Sequence, residues 1–209
     1  MHPTAILYCD MDGVLASFFH GAQQLVATYM ADEAPAAWLE GSRQIRPSLA
    51  KIHQQLGSDF ELTAREQLSI PAVRQLVLST ISFGAGDFFA ALPPLLDALD
   101  ALWPALHVSG RQVCLLSAPI SNRRGVAGPT AEEGKRQWAA QWLRPLPAEV
   151  IITPSRHKHR LATRGGVANL LIDDRASTID RWRESGGTGI CHDPSSPSQT
   201  LVALRELLG

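Results

Sequence analysis

The stretch that decides the fold is TAILYCDMDG, residues 4–13, in which a short apolar run ends abruptly at Asp10 and is followed by Asp12 and Gly13. A run of this length reads as a buried strand, because a buried helix needs more residues to cross a core. Working outward, similar runs recur at 112–116 (QVCLL), 149–153 (EVIIT), 169–172 (NLLI) and 188–191 (TGIC). Between and after them lie helix-like segments at 94–107, 130–143, 176–185 and 198–208. Thr130 with Glu133 three residues on reads as a capping box opening the second of these. The third, carrying Asp180, Arg181 and Trp182, stops at Gly186 and Gly187. Short buried strands alternating with helices predict a parallel sheet covered on both faces.

Residues 17–90 break this alternation. Helix-like stretches at about 18–31, 33–40, 46–56 and 71–80 follow one another without a strand, punctuated at Pro35, Gly57, Pro71 and Gly84–Gly86. The expected organisation is therefore an α/β Rossmann-like core of residues 1–16 and 88–209, with a small helical cap at 17–87 inserted after the first strand. The polar, glycine-rich segment 121–129 (SNRRGVAGP) reads as a loop.

Composition narrows the function classes. With 209 residues, 45% of them apolar and 19% charged, the chain has the make-up of an ordinary globular protein. A net charge of −1 provides no field to recruit a nucleic-acid polymer or an anionic membrane. Cys9, Cys114 and Cys191, an odd count without short spacing, point to buried free thiols rather than disulfides or a zinc site. The start MHPTAILYC lacks a basic leader, and no apolar run approaches the roughly 18 residues of a membrane span, so the expected location is cytoplasmic.

In an open parallel sheet, ligands bind beyond the carboxyl ends of the strands. Asp10, Asp12 and Gly13 follow the first strand; Ser117, Ala118 and Pro119 follow the run at 112–116; Asp173 and Asp174 follow the run at 169–172. Four carboxylates gathered at one rim repel one another unless a cation joins them, and an all-oxygen ligand set favours Mg²⁺. In Asp-x-Asp-Gly one carboxylate can attack phosphorus while the other protonates the leaving oxygen. Ser117 can donate to a phosphoryl oxygen, and Gly13 permits a sharp exit of the chain.

DMDGVL after an apolar strand, Ser117 after a second, a lysine, and LLIDDR further on resemble the four motifs of the haloacid-dehalogenase-like superfamily, in the right order over nearly the whole chain. The resemblance implies that Asp10 is the nucleophile and Asp12 the general acid and base. It implies that Ser117, Lys158, Gly13 and Ala118 bind the phosphoryl group. It further implies that Asp10, Asp173 and Asp174 hold Mg²⁺ together with Asp12, through its main-chain carbonyl. Within that superfamily the chain is most similar to the 5′(3′)-deoxyribonucleotidase branch. The matches are DMDGVLASF; Phe88, Phe89, Leu92 and Pro93 in GDFFAALPPL; and Arg175, Trp182, Gly186 and Gly187 after LIDD. Two departures stand out: Ser-Ala-Pro replaces a threonine and a second hydroxyl residue, and the stretch from Lys158 to Asp173 is longer. The implied partner is a small phosphorylated substrate, a nucleoside monophosphate before a phosphosugar or another phosphomonoester. A phosphotransferase and a non-catalytic Mg²⁺- or phosphate-binding regulator stay as alternatives, as do monomer and homodimer.

Only three lysines are available. Lys158 follows the run at 149–153 and so belongs at the carboxyl rim, whereas Lys135 sits in a helix beside Glu132 and Glu133, where an exposed ion pair accounts for it. Phe18, Phe19, Phe88 and Phe89 form either a substrate pocket or plain core. His157 and His159 beside Lys158, and Arg123 and Arg124 in the loop, are either anion contacts or solvated loop residues. Arg175 is a candidate to orient Asp173 or Asp174 by ion pairing. His192 and Asp193 carry no assigned role.

Overall fold

A computed structural model describes residues 4–31, 33, 43, 46–56, 66–120 and 128–208. The expected helix at 33–40, Pro35, Gly57 and the loop arginines Arg123 and Arg124 lie outside the described residues.

The apolar runs become the strands of one parallel sheet: β1 (Leu7–Cys9), β2 (Val113–Ser117), β3 (Glu149–Ile152), β6 (Leu170–Asp173) and β7 (Thr188–Cys191). Their order is β3-β2-β1-β6-β7, with every neighbouring pair parallel. The fold class is thus α/β with a Rossmann-like parallel sheet. The inner strands β1, β2 and β6 are buried at every position, as a sheet covered on both faces requires. The edge strands β3 and β7 are only partly covered.

The order has a direct consequence for the site. From β1 the chain builds β2 and β3 to one side, then returns to place β6 and β7 on the other. The crevice at such a reversal opens at the carboxyl ends of β1 and β6, which is where this fold class collects ligands. Register sets the two strand ends level, because Cys9 pairs with Ile172 and Leu115. Asp10 and Asp173, each one residue further on, therefore reach the same rim.

The chain divides into two compact units. The first comprises Met1–Ser17, Pro94–Pro119 and Ala139–Gly209, and holds the sheet. On one face of that sheet Ile6, Tyr8, Cys114, Leu116 and Leu171 pack with Ala162, Ile179 and Trp182. Before β2 a π-helical turn, Ala98–Leu102, runs into α5 (Trp103–Val108), where one helix was expected over 94–107. Two small elements went unread in the sequence: a 3₁₀ helix at Ser155–Leu161, and a hairpin of β4 (Thr163–Arg164) and β5 (Val167–Ala168). After β6 comes α7 (Ala176–Glu184), and after β7 comes α8 (Pro197–Leu208). Helix α7 ends in a Schellman motif: Gly187 N–H reaches Trp182 O at 3.1 Å and Gly186 N–H reaches Arg183 O at 2.9 Å, with Gly186 at φ +85°.

The second unit comprises Phe18–Pro93 and Ile120–Trp138. It holds α1 (Phe18–Met30), α2 (Arg46–Leu56), α3 (Pro71–Ile81) and α4 (Ala85–Ala90). Helix α1 packs on α2 and α3. Pro71 opens α3 from an extended Ile70, a position where the missing N–H costs nothing. Helix α6 (Ala131–Trp142) begins in this unit and finishes in the first. Its capping box forms: Glu133 N–H donates to Thr130 Oγ1 at 3.2 Å, and Thr130 N–H donates to Glu133 Oε2 at 2.6 Å. The bond holds the Glu133 carboxyl below its ordinary range.

Two expectations need correction. Lys135 is not an exposed ion pair: it is fully buried, with its ammonium 4.1 Å from the centre of the Phe89 ring, while Arg136 takes Glu132 at 2.9 Å. Burial holds for Cys9 and Cys114 but not for Cys191, which is exposed at the end of edge strand β7; all three thiols are free.

Candidate active site

The rim residues are placed by local structure. After β1 the chain turns tightly, with Leu15 N–H and Ala16 N–H both donating to Met11 O at 2.9 Å. Gly13 sits inside this turn at φ +78°, and a Cβ there would stand 2.5 Å from Asp174 Oδ2. Only glycine meets both demands. Ser117 ends β2, fully buried, two residues past the Cys9 partner Leu115, and Ala118 follows it. Ser117 O accepts from Thr153 N–H at 2.9 Å.

Three carboxylates meet here. Asp10, Asp173 and Asp174 each present an oxygen, and these oxygens lie within 4.8 Å of one another. Lys158 enters from the 3₁₀ helix, with its ammonium 2.9 Å from Asp10 Oδ2 and 2.7 Å from Asp173 Oδ2. All three members of this bridge are buried: Lys158 is 1% exposed, Asp10 5% and Asp173 0%. The remaining oxygens are held by the main chain, since Met11 N–H donates to Asp10 Oδ1 at 2.8 Å and Arg175 N–H to Asp173 Oδ1 at 2.9 Å. Asp10 and Asp173 are thereby locked in orientation before any ligand arrives.

One ammonium does not balance three carboxylates. Burial, with the charge of Asp10 next, pushes the Asp173 carboxyl up to about 6 against the pull of Lys158. Burial also raises Asp174 to about 7, helped by Asp10 and Asp173 and, more weakly, by Asp12. Burial works against the Lys158 ammonium, but Asp10 and Asp173 outweigh it and hold its pKa above the ordinary lysine value. The surplus of negative charge is what a hard divalent cation relieves. Mg²⁺ fits the donors: they are carboxylate oxygens only, with no thiol or imidazole among them. Asp10, Asp173 and Asp174 would hold it. The Asp12 carboxylate is not one of the clustered oxygens.

Phe18, Phe88 and Phe89 pack edge-to-face within the helical unit, with centroids 5.6 Å apart for Phe18–Phe88 and 5.1 Å for Phe88–Phe89, and Phe19 meets Phe18 at 6.1 Å. Arg175 forms no ion pair with Asp173 or Asp174 among the described residues: its main-chain N–H orients Asp173, its guanidinium reaches Ser155 Oγ at 3.2 Å, and its charge eases the rise of the Asp174 carboxyl. His157 and His159 flank Lys158 on the 3₁₀ helix, and His159 Nδ1 is buried without a hydrogen-bond partner among the described residues. His192, given no role from sequence, is buried; its Nδ1 lies 2.8 Å from Thr200 Oγ1 and its main-chain N–H donates to Asp173 O at 3.0 Å. Nothing in the local pattern of HDPSS marks that contact.

No protein-family model and no curated protein matches the chain. Among solved structures it is similar to a hydrolase from Streptococcus pneumoniae TIGR4, at 14% identity and a TM-score of 0.48, covering 97% of each chain. A haloacid dehalogenase-like family hydrolase from Xanthomonas campestris gives 12% identity and a TM-score of 0.48, over 98% of this chain and 93% of that one. A HAD family enzyme from Bacteroides thetaiotaomicron, in complex with magnesium and inorganic phosphate, gives 13% and 0.46, over 92% and 96%. Likeness this distant assigns no function. The chain's own geometry defines an α/β protein with a buried, lysine-bridged carboxylate site at the switch point of its sheet.

Proposed function

We propose that the chain is a magnesium-dependent phosphomonoester hydrolase of the haloacid-dehalogenase-like kind, acting through an aspartyl-phosphate on Asp10. The observation that carries the reading is the buried Lys158 ammonium, 2.9 Å from Asp10 and 2.7 Å from Asp173, in a site whose third carboxylate is Asp174. A purely structural ion pair needs one carboxylate per ammonium. A cluster of three carboxylates with one ammonium bonded to two of them, at the ligand-binding rim of a parallel sheet, suits a site that gathers a cation and an anionic substrate together.

In this reading an Asp10 carboxylate oxygen attacks phosphorus in line as the bond to the leaving oxygen breaks. Asp12 gives its proton to the departing alkoxide. It then takes a proton from a water molecule that attacks the same phosphorus, breaking the bond to Asp10, releasing orthophosphate and restoring both carboxyl groups. Lys158 and Ser117 face the charge on the non-bridging oxygens, with Gly13 and Ala118 beside them. Bound magnesium supplies the remaining positive charge that lets two anions approach.

The finer reading is a (deoxy)nucleoside 5′-monophosphate as substrate. It is supported by the DMDGVLASF, FFAALP and LIDDR stretches. Phosphate release from p-nitrophenyl phosphate and from panels of nucleoside monophosphates and sugar phosphates, with Mg²⁺ and with EDTA, tests both levels. The expected result is Mg²⁺-dependent turnover that falls at least about 10³-fold in Asp10→Asn and nearly as far in Asp12→Asn. Full activity in Asp10→Asn removes the nucleophile assignment. Absence of turnover on every substrate, with Mg²⁺ bound, would replace the enzyme with a binding protein.

A further inference from the structure

Asn169 is a polar residue inside an apolar run, ANLLID, and is 1% exposed. Its side chain is used at both ends: Oδ1 accepts from Ile6 N–H and Nδ2 donates to Leu161 O, each at 2.8 Å. The amide cannot be turned over, because Ile6 offers only a donor and Leu161 only an acceptor. Its main chain is equally committed. Asn169 N–H donates to Ala162 O at 2.8 Å, and Asn169 O accepts from Thr188 N–H at 2.8 Å and from Trp182 Nε1 at 3.1 Å.

These bonds join the segments that carry the site. Ile6 leads into β1 and Asp10; Leu161 closes the 3₁₀ helix that carries Lys158; Asn169 itself leads into β6 and Asp173. Leu161 follows Lys158 by three residues, one turn of a 3₁₀ helix, so the two share a face. Among the described residues no strand ladder anchors the 3₁₀ helix. Helix α7 packs beside it, and its far end is tied by the Asn169 side chain and by the adjacent Ala162–Asn169 main-chain bond.

We propose that Asn169 is a positioning residue for Lys158: it ties the end of the 3₁₀ helix to the starts of β1 and β6, and so sets the ammonium at hydrogen-bonding distance from both Asp10 and Asp173. The functional half of this proposal rests on the hydrolase reading above; the structural half does not. The selective variant is Asn169→Asp, which keeps the shape and the acceptor for Ile6 but replaces the amide donor facing Leu161 O. Asn169→Leu removes both links.

The direct readout is the ammonium ¹H–¹⁵N spectrum of lysine-labelled protein, which holds only three lysines, with Lys51→Arg and Lys135→Arg variants isolating the Lys158 signal. In Asn169→Asp that signal shifts or broadens, Mg²⁺ affinity stays within about twofold because the carboxylates keep their own anchors, and kcat falls at least about tenfold. A Lys158 signal unchanged in a folded Asn169→Asp overturns the proposal, whatever the activity does. If that variant does not fold, Asn169→Gln and Asn169→Ser are read in the same way. If wild type shows no turnover, the hydrolase reading fails and the Lys158 signal alone judges the positioning role. A kcat loss equal in Lys158→Arg and Lys158→Arg/Asn169→Asp supports action through Lys158, whereas additive losses overturn it.

Discussion

Gly13 shows how much a single position constrains. Its φ of +78° costs a non-glycine residue about 1–2 kcal/mol, and a Cβ there meets the Asp174 carboxylate. Gly13→Ala therefore pushes Asp174 away from Asp10 and Asp173. The expected outcome is at least about a tenfold loss of Mg²⁺ affinity by calorimetric titration, with only a small fall in melting temperature. Unchanged Mg²⁺ binding would mean that Asp174 does not take part. The same contact explains why Asp-x-Asp-Gly is legible from sequence. The glycine is demanded by the turn and by the neighbouring strand end at once, so the motif states two constraints in four residues.

Among the elements, α7 is the one whose ending is most exposed to test. Its Schellman bonds bring Gly187 against the indole of Trp182, which is fully buried and donates to Asn169 O at 3.1 Å. A Cβ at Gly187 would run into Trp182 Nε1 and Cδ1. Gly187→Ala should destabilise the chain by about 2 kcal/mol in urea unfolding, through displaced indole packing and the strained bond to Asn169. A loss below about 0.5 kcal/mol would show that the indole swings aside freely. Helix ends of this kind were readable in advance, as was the Thr130–Glu133 box, because caps are set by residues within a few positions of each other. The 3₁₀ helix and the small hairpin were not. The 3₁₀ helix is held by contacts from distant segments, Lys158 to Asp10 and Asp173, whereas the hairpin pairs only Thr163–Arg164 with Val167–Ala168, strands too short to show an alternation of their own.

At the scale of the whole molecule, the concentrated acid charge links stability to pH. Asp173 and Asp174, at about 6 and about 7, lie above the value of 3.8 that they have in an unfolded chain. A raised carboxyl binds its proton more tightly when folded, so its contribution is fully present below about 4 and is lost as pH rises through the folded values. In EDTA the melting temperature should therefore fall by several degrees between pH 5 and pH 8, and fall less in Asp174→Asn. Mg²⁺ needs the ionised carboxylates, so it should raise the melting temperature more at pH 8 than at pH 5. A curve in EDTA that is flat or rising, and the same in Asp174→Asn, would show that the surplus charge at this rim is absent.

Five apolar runs, each stopping at its own short polar or glycine-marked segment, were visible in the chain because strand length and the break in hydrophobicity are properties of neighbouring residues. From them followed the parallel sheet and the rim on which Asp10, Ser117 and Asp173 end. The place of Lys158 at the rim was legible too, but long-range folding decided that its ammonium bridges Asp10 and Asp173, that Lys135 is buried against Phe89, that Cys191 is exposed, and that Asn169 ties three segments together. Those outcomes depend on pairing residues as far apart as Ile6 and Asn169, and burial of that kind is settled only when strand order brings the segments side by side.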